Sequence, residues 1–416
     1  MKPDVMVLGA GMVGVCTALH LQARGHDAVL IDRRDPGQET SFGNAGIIQR
    51  EAVEPYAFPR TASAILRAAL RIGPEVNYHL RALPGLAGPL LDYWRFSAPA
   101  RYGAVASAHA RLIEHCLRAH APLIEAAGAG DLVRRDGFRF VFRTTGALDA
   151  AAAAAEGMAR DHGLACTVQD GAALHRAEPA LTRPLAGALH WHDPWTVRAP
   201  GELVARYADL FRQRGGTILR GDATSLARAD GGWSVTTGEG RVTAGQAVIA
   251  LGPWAADLTR SLGYRLPLFV KRGYHRHYHI TGTGLDLPML DAERGAVLAP
   301  MAQGLRISTG AEFALRDAPS TPVQSLRAAQ AAAEIVDLGQ PVEAEPWRGA
   351  RPCTADMLPV VGPAPRDPGL WFNFGHAHQG FTLGPVTGQL LAEMIAGDRP
   401  FLDPAPYAAT RFNGAR

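Results

Sequence analysis

Thirty residues near the start of the chain constrain its fold more than any others. Val5-Met6-Val7-Leu8 is a short apolar run of the kind a parallel strand uses when both its faces are buried. It passes directly into Gly9-Ala10-Gly11-Met12-Val13-Gly14, then into a helical pattern, then into a second apolar run, Ala28-Val29-Leu30-Ile31, that ends on Asp32. Each part of this strand, turn, helix, strand and acid has a physical task. Gly9 permits the tight turn. Gly11 has no side chain to block a pyrophosphate. Gly14 lets the helix lie close to the strand. The helix N-terminus, at Met12 and Val13, offers free N–H groups and partial positive charge to a phosphate. Asp32 accepts from a ribose diol, with Arg33 beside it. The pattern predicts an α/β chain with a Rossmann-like, adenine-dinucleotide-binding unit. By itself it leaves NAD and FAD both open.

The segment that follows, Ser41-Phe42-Gly43-Asn44-Ala45-Gly46-Ile47, is small and polar, so its backbone can approach a flat ring system. A buried run, Ala247 to Leu251, breaks at Gly252-Pro253-Trp254 and predicts a further backbone approach to the same ligand, with Ala223 nearby. Near the end, Leu370–Phe374 reads as a strand. Gly375-His376-Ala377-His378-Gln379-Gly380-Phe381-Thr382 follows and leads to a helix expected from about Val386 to Ala396. A helix start there can stabilise negative charge. The dinucleotide domain is therefore expected to be discontinuous.

Between these parts, helices are expected over 61–72, 106–127, 202–214 and 324–338, and strands over 137–144, 217–219, 268–280 and 306–312. Trp233–Thr237 and Gly240–Ala244 read as a hairpin. The run 268–280 (LFVKRGYHRHYHI) is polar and aromatic. One of its faces is expected to line a pocket and the other to be solvated. Its histidines lack a carboxylate at ligand spacing, so no metal site is expected.

Composition narrows the class. The chain has 416 residues, 47% hydrophobic and 19% charged, which suits more than one lobe of a soluble globular protein. Net charge is +3, and the basic residues are almost all scattered arginines; Lys2 and Lys271 are the lysines. No basic run points to nucleic acid. The four cysteines are far apart, which argues against a zinc site or a disulfide framework. No apolar run is long enough to span a membrane, so cytoplasmic location is expected, with contact at the inner face of a membrane left open.

Taken together, VLGAGMVG with Asp32, SFGNAGIIQ, VIALGPWA, RGARPCTADMLPVVG and FGHAHQGFTLGP stand in the order found in FAD-dependent D-amino acid oxidases and dehydrogenases, the group that includes glycine and sarcosine oxidases. The chain resembles that family over essentially its whole length. SFGNAGIIQREAVEPYAFP most resembles the dehydrogenase branch, including members acting on D-proline or D-hydroxyproline. The resemblance implies a GR2-type FAD-binding domain with an inserted α+β substrate domain on a mixed, largely antiparallel sheet. The expected boundaries are 1–95, 196–265 and 345–416 for the first, and 96–195 and 266–344 for the second. It implies non-covalent FAD, a substrate carboxylate gripped by Arg351 or by Arg50, and a pocket roofed by Tyr274 and His277. His376 is a candidate for tuning the flavin or relaying a proton. Gln379, Gly380, Phe381 and Thr382 would flank the flavin. The implied reaction is dehydrogenation of a D-amino or secondary amino acid, with D-proline or cis-4-hydroxy-D-proline favoured. A glycine- or sarcosine-type oxidase using O2 and a non-catalytic flavin-binding or assembly protein stay open as alternatives. So do the electron acceptor (oxygen, or a quinone of the respiratory chain) and the oligomeric state.

Overall fold

The structure, a computed structural model, describes residues 3–71 and 76–412. Ile72, the end of one expected helix, lies outside the described residues.

Two large sheets organise the chain. In the first, of eight strands, Val5–Leu8 sits centrally between Ala28–Asp32 and Gln246–Ile249, parallel to both. Thr217–Ala229 and Leu370–Phe374 extend the parallel set outward on either side. The hairpin Gly232–Thr237 and Gly240–Ala244 closes one edge, and Val360–Pro363 closes the other, both antiparallel. The alternation of side chains along a strand divides the core. Val5, Val7, Leu30 and Val248 point into one apolar cluster, and Met6, Leu8, Ile31 and Ile249 into the other. Because both faces are covered, these strands read as continuous apolar runs rather than alternating ones.

The first cluster is capped by two helices from opposite ends of the sequence, Met12–Gln22 and Gly380–Ala396. They approach so closely that a Cβ on Gly384 would lie 2.7 Å from Met12 Cγ, and one on Gly388 would lie 2.9 Å from the Cys16 carbonyl carbon.

The second sheet has eleven strands and is mixed, mostly antiparallel. Its axis is the long strand Leu268–Ile280, which pairs with Trp347–Thr354 along much of its length and with Gly304–Ser308 on the other side. Strands Val76–Tyr78 and Trp347–Thr354 hydrogen-bond in this sheet, although the expected boundaries place them with the first domain. A small third sheet joins Ile47–Ile48, Trp195–Val197 and Val133–Arg134.

Several elements differ from expectation for identifiable reasons. The helix expected over 106–127 is two, Pro99–Glu114 and Cys116–Ala126, meeting at His115. Both bury their stripes in the same core, so hydrophobic spacing runs through the break. The helix expected to 338 ends at Ala333, and Leu338–Pro341 turns back to pair with the long strand. The strand expected over 306–312 is interrupted at Thr309-Gly310. The closing helix begins at Gly380, not Val386; Pro385 sits inside it rather than at its start. The long strand has no solvated face over its central residues. Arg272, Tyr274, His275 and His277 are all buried, because Trp347 stacks on His275 (ring centroids 4.8 Å apart) and Glu343 covers His277.

Candidate active site

A cavity of about 960 Å3 runs between the two large sheets. One end of it is built by the opening strand–turn–helix. Gly9, at φ +111°, turns where a Cβ would strike the Ala250 carbonyl oxygen at 2.4 Å. Gly11, Met12 and Val13 follow on the wall, at a helix start whose N-cap residue, Gly11, supplies no side chain and whose first turn carries no acid. The Met12 N–H is held by Ser41 Oγ at 3.0 Å. Asp32 accepts from the Ala10 N–H at 2.6 Å and from the Arg34 N–H at 3.1 Å, which fixes its carboxylate at the cavity edge. Arg33, Asn44, Ala45, Ile47, Ala223, Gly252 and Trp254 also line this cavity. Gly14 and Gly46 do not face it. A Cβ at Gly14 would sit 1.8 Å from the Gly9 carbonyl oxygen, and one at Gly46 would sit 2.2 Å from that of Val197, so both allow close packing behind the wall. The glycine turn, the helix N-terminus at the cavity wall and the fixed acid fit an adenine dinucleotide.

The floor toward the other end is the start of the closing helix, where Gly380 and Phe381 line the cavity. The buried His120 supports this start by donating from Nε2 to the Phe381 carbonyl at 3.1 Å, while its Nδ1 accepts from Tyr207 at 3.2 Å. Thr382 and Gln379 turn away from the cavity. Thr382 Oγ1 accepts from the Gln49 N–H at 3.2 Å, and Gln379 Nε2 donates to Gln49 Oε1 at 3.1 Å. His376 lines the wall but is tied to the helix. The Thr387 hydroxyl donates to the Leu383 carbonyl, so it accepts from His376 Nε2 at 2.9 Å. Burial pushes His376 down to about 3, so its imidazole is neutral and its tautomer is set. That assignment leaves it no free proton to relay.

The far end holds Arg351. Its guanidinium lies over Gly273, where a Cβ would come within 2.6 Å of Nη2. It donates to the carbonyls of Gly310 at 2.9 Å and Thr309 at 3.0 Å, the two residues that interrupt the neighbouring strand. Burial holds its pKa below the usual arginine range. Around it stand Lys271, Tyr56, Tyr93 and His378, with Phe58, Leu83, Leu90 and Phe313 completing an apolar wall. Burial, with Arg351, His109 and Lys271 nearby, holds the His378 imidazole neutral; its ring rests on Tyr56 at 4.7 Å. Cys353 is buried beside this end with its thiol pKa raised by burial.

Three further expected site residues are elsewhere or otherwise engaged. Arg50 does not face the cavity. It donates to the His162 carbonyl at 3.0 Å and lines a separate groove with Glu54, Arg111 and Asp161. Gln49 lines the cavity, whereas Arg50, past the end of the short strand Ile47–Ile48, turns into the groove. His277 lies behind the roof, where Nδ1 donates to Glu343 and Nε2 accepts from Arg306 at 3.0 Å. Tyr274 reaches the cavity wall, but its hydroxyl is committed. It donates to Glu312 at 2.8 Å and accepts from the Thr321 N–H at 3.0 Å.

Residue patterns alone did not single out Tyr56, Tyr93, His378 or Arg306. Arg306 donates to the carbonyls of Phe42 at 3.0 Å and Asn44 at 2.5 Å, and so fastens the small-residue loop to the second sheet. Its signal was a buried arginine in an apolar strand, but its partners are backbone carbonyls 262 and 264 residues away in sequence.

Comparisons with known proteins agree with this geometry. A family model of FAD dependent oxidoreductases matches residues 4–394. The chain is 30% identical over 433 residues to a D-amino acid dehydrogenase of Granulibacter bethesdensis, covering 99% of this chain and 100% of that protein. It is 29% identical over 419 residues to a D-amino-acid oxidase of Bradyrhizobium diazoefficiens, covering 98% of each. A crystal structure of glycine oxidase from Geobacillus kaustophilus superposes with a TM-score of 0.74 at 22% identity, over 99% of this chain and 100% of that one. With the glycine turn, its acid and the two helix starts already facing one cavity, the family match supplies the remaining step: this chain belongs to the FAD-dependent oxidoreductases of the D-amino acid oxidase type.

Proposed function

We propose that the chain dehydrogenates the Cα–N bond of a D-amino acid or a cyclic secondary amino acid, with D-proline or cis-4-hydroxy-D-proline favoured. One observation carries this reading. Arg351 lies at the end of an apolar chamber with carbonyl partners but no ion pair among the described residues. A guanidinium in that setting is suited to a planar carboxylate, which it binds with two parallel N–H donors.

Gly9, Gly11, Met12, Val13 and Asp32 would hold the dinucleotide of FAD non-covalently, and Asn44, Ala45, Ile47, Gly380 and Phe381 would flank its ring. When bound, FAD takes the two electrons, as hydride from the substrate α-carbon. The protein supplies geometry and electrostatics. Arg351 fixes the carboxylate, and therefore the direction of the α-hydrogen. Phe58, Leu83, Leu90 and Phe313 receive an apolar side chain and exclude water. The N–H groups that open the closing helix place partial positive charge where negative charge develops. His376 fixes the loop leading into that helix. A cyclic amine leaves as a stable cyclic imine; a primary amine leaves as an imine that water converts to a keto acid and ammonia.

The test is anaerobic bleaching of the enzyme-bound flavin with a panel of D-amino acids, glycine, sarcosine and both hydroxyproline isomers. D-Proline or cis-4-hydroxy-D-proline is expected to bleach fastest. Failure of every amino acid to bleach it overturns the reading.

A further inference from the structure

The carboxylate end of the chamber contains a second cation that the reading above does not use. Lys271 sits directly across the strand pair from Arg351. Both side chains reach the same cavity. Lys271 Nζ donates to the Tyr93 hydroxyl at 3.2 Å and lies 4.4 Å from the centre of that ring. The Tyr93 hydroxyl gives its own proton to the Tyr56 carbonyl at 2.6 Å, so it serves Lys271 as an acceptor. Met357 Sδ lies at 3.9 Å, and the Phe269 and Phe313 rings are centred 5.9 and 5.8 Å from Nζ. Among the described residues neither cation has a carboxylate within ion-pair distance. The acids on the cavity wall, Asp32, Glu39, Asp222 and Asp257, belong to the dinucleotide end, with Arg33 and Trp254.

Two like charges directly opposite on a sheet repel, and burying either without a counter-ion is costly. Burial lowers the Lys271 pKa and Arg351 adds to this; the Cys353 thiol acts the other way, and no carboxylate does. Two such cations are unfavourable on their own and become favourable once one anion lies between them.

We infer that Lys271 is the second half of a carboxylate clamp. The substrate's α-carboxylate is shared between Nζ and the Arg351 guanidinium, and amino acids with a cationic side chain are turned away. This inference rests on the proposed function for the identity of its ligand. The exclusion follows from the same geometry. A side chain extending from a carboxylate held here meets Phe58, Leu83, Leu90, Tyr93 and Phe313 together with a positive charge, and finds no acid. The class that fits is the neutral, apolar amino acid.

The test uses FAD-loaded wild type, K271M, K271Q and K271R. Benzoate, a carboxylate with no amine to oxidise, is titrated while the flavin absorption spectrum is followed. Loss of one charge-assisted contact is expected to weaken benzoate by about tenfold in K271M and K271Q, with K271R within about threefold of wild type. In anaerobic reduction, K271M is expected to raise the half-saturating D-proline concentration by about the same factor, with the limiting rate changed by less than about threefold. Wild type is expected to prefer D-proline over D-arginine strongly, and K271M to narrow that preference. Unchanged benzoate affinity in both neutral variants overturns the clamp. So does a fall in limiting rate at constant half-saturation with the acid limb of the pH profile lost, which would make Lys271 a proton acceptor. Equal use of D-arginine and D-proline by wild type overturns the exclusion. If no amino acid bleaches the flavin, the proposed function fails, but the benzoate titration still decides the clamp.

Discussion

At the scale of single residues, neighbours in sequence have opposite fates. Gln49 reaches the cavity and Arg50 does not. Arg351→Ala is therefore expected to raise the half-saturating substrate concentration by about thirty- to a hundredfold, the worth of a lost bidentate contact to a charged group. Arg50→Ala is expected to leave anaerobic flavin reduction within about twofold. The same titration measures both. Next to Arg50, Glu51 is almost fully buried, and burial raises it to about 7. A carboxyl raised in the folded state favours folding while protonated, so its contribution is lost as pH rises from 4.5 toward 7. Glu51→Gln is expected to raise unfolding free energy at pH 8 by about 1–3 kcal/mol, with the gain vanishing below pH 4.5. Denaturant titrations at the two pH values check this. The fingerprint glycines and Asp32 were singled out by local spacing, and Arg351 only by resemblance to a family. Lys271 and His378 were not, because what makes them significant is the absence of an acid around them. Only three-dimensional neighbours reveal that.

At the scale of elements, the opening and closing helices meet through glycine. Gly384 and Gly388 leave room for Met12 and the Cys16 backbone, and a methyl group at Gly388 has main chain, not a flexible side chain, to displace. Gly388→Ala is expected to cost about 1–3 kcal/mol of stability and to weaken FAD retention, since both helix starts that face the cavity are moved by the same shift. Thermal unfolding and the fraction of flavin retained on gel filtration measure the two effects. Most strands and helices were legible from apolar spacing. Three misread positions show why others were not. At His115 and at Thr309-Gly310 the backbone changes course while the hydrophobic pattern continues; at Pro385 the reverse holds, and the helix runs on through a residue that reads as its start. At Thr309-Gly310 the change has a use, because the interrupted strand offers its carbonyls to Arg351.

At the scale of the whole molecule, polar groups are buried in quantity. His109 and His120 are pushed down to about 4, His376 to about 3 and His275 to about 2, mainly by burial. A histidine whose folded pKa is depressed favours folding above its unfolded value of 6.5, and that contribution is lost as pH falls toward the folded value. Stability is expected to be level above about pH 7 and to fall steeply below about pH 6, by on the order of 1–2 kcal/mol per histidine at pH 5. Melting temperatures measured across this range would show an acid limb; a flat profile would contradict it. That the first sheet gathers strands from distant parts of the chain was legible because those strands recur with glycine endings. The assignment of Val76–Tyr78 and Trp347–Thr354 to the second sheet was not, since pairing partners leave no mark on local sequence.

The helix that floors the cavity and the strand leading into it are made late, after residue 369, yet they complete a sheet whose central strand is residues 5–8. On the ribosome the opening unit therefore emerges long before its partner and must wait with an apolar flank uncovered. Loading of FAD is expected to follow synthesis of the last helix, and a message cut short before residue 380 is expected to yield a chain that retains little flavin.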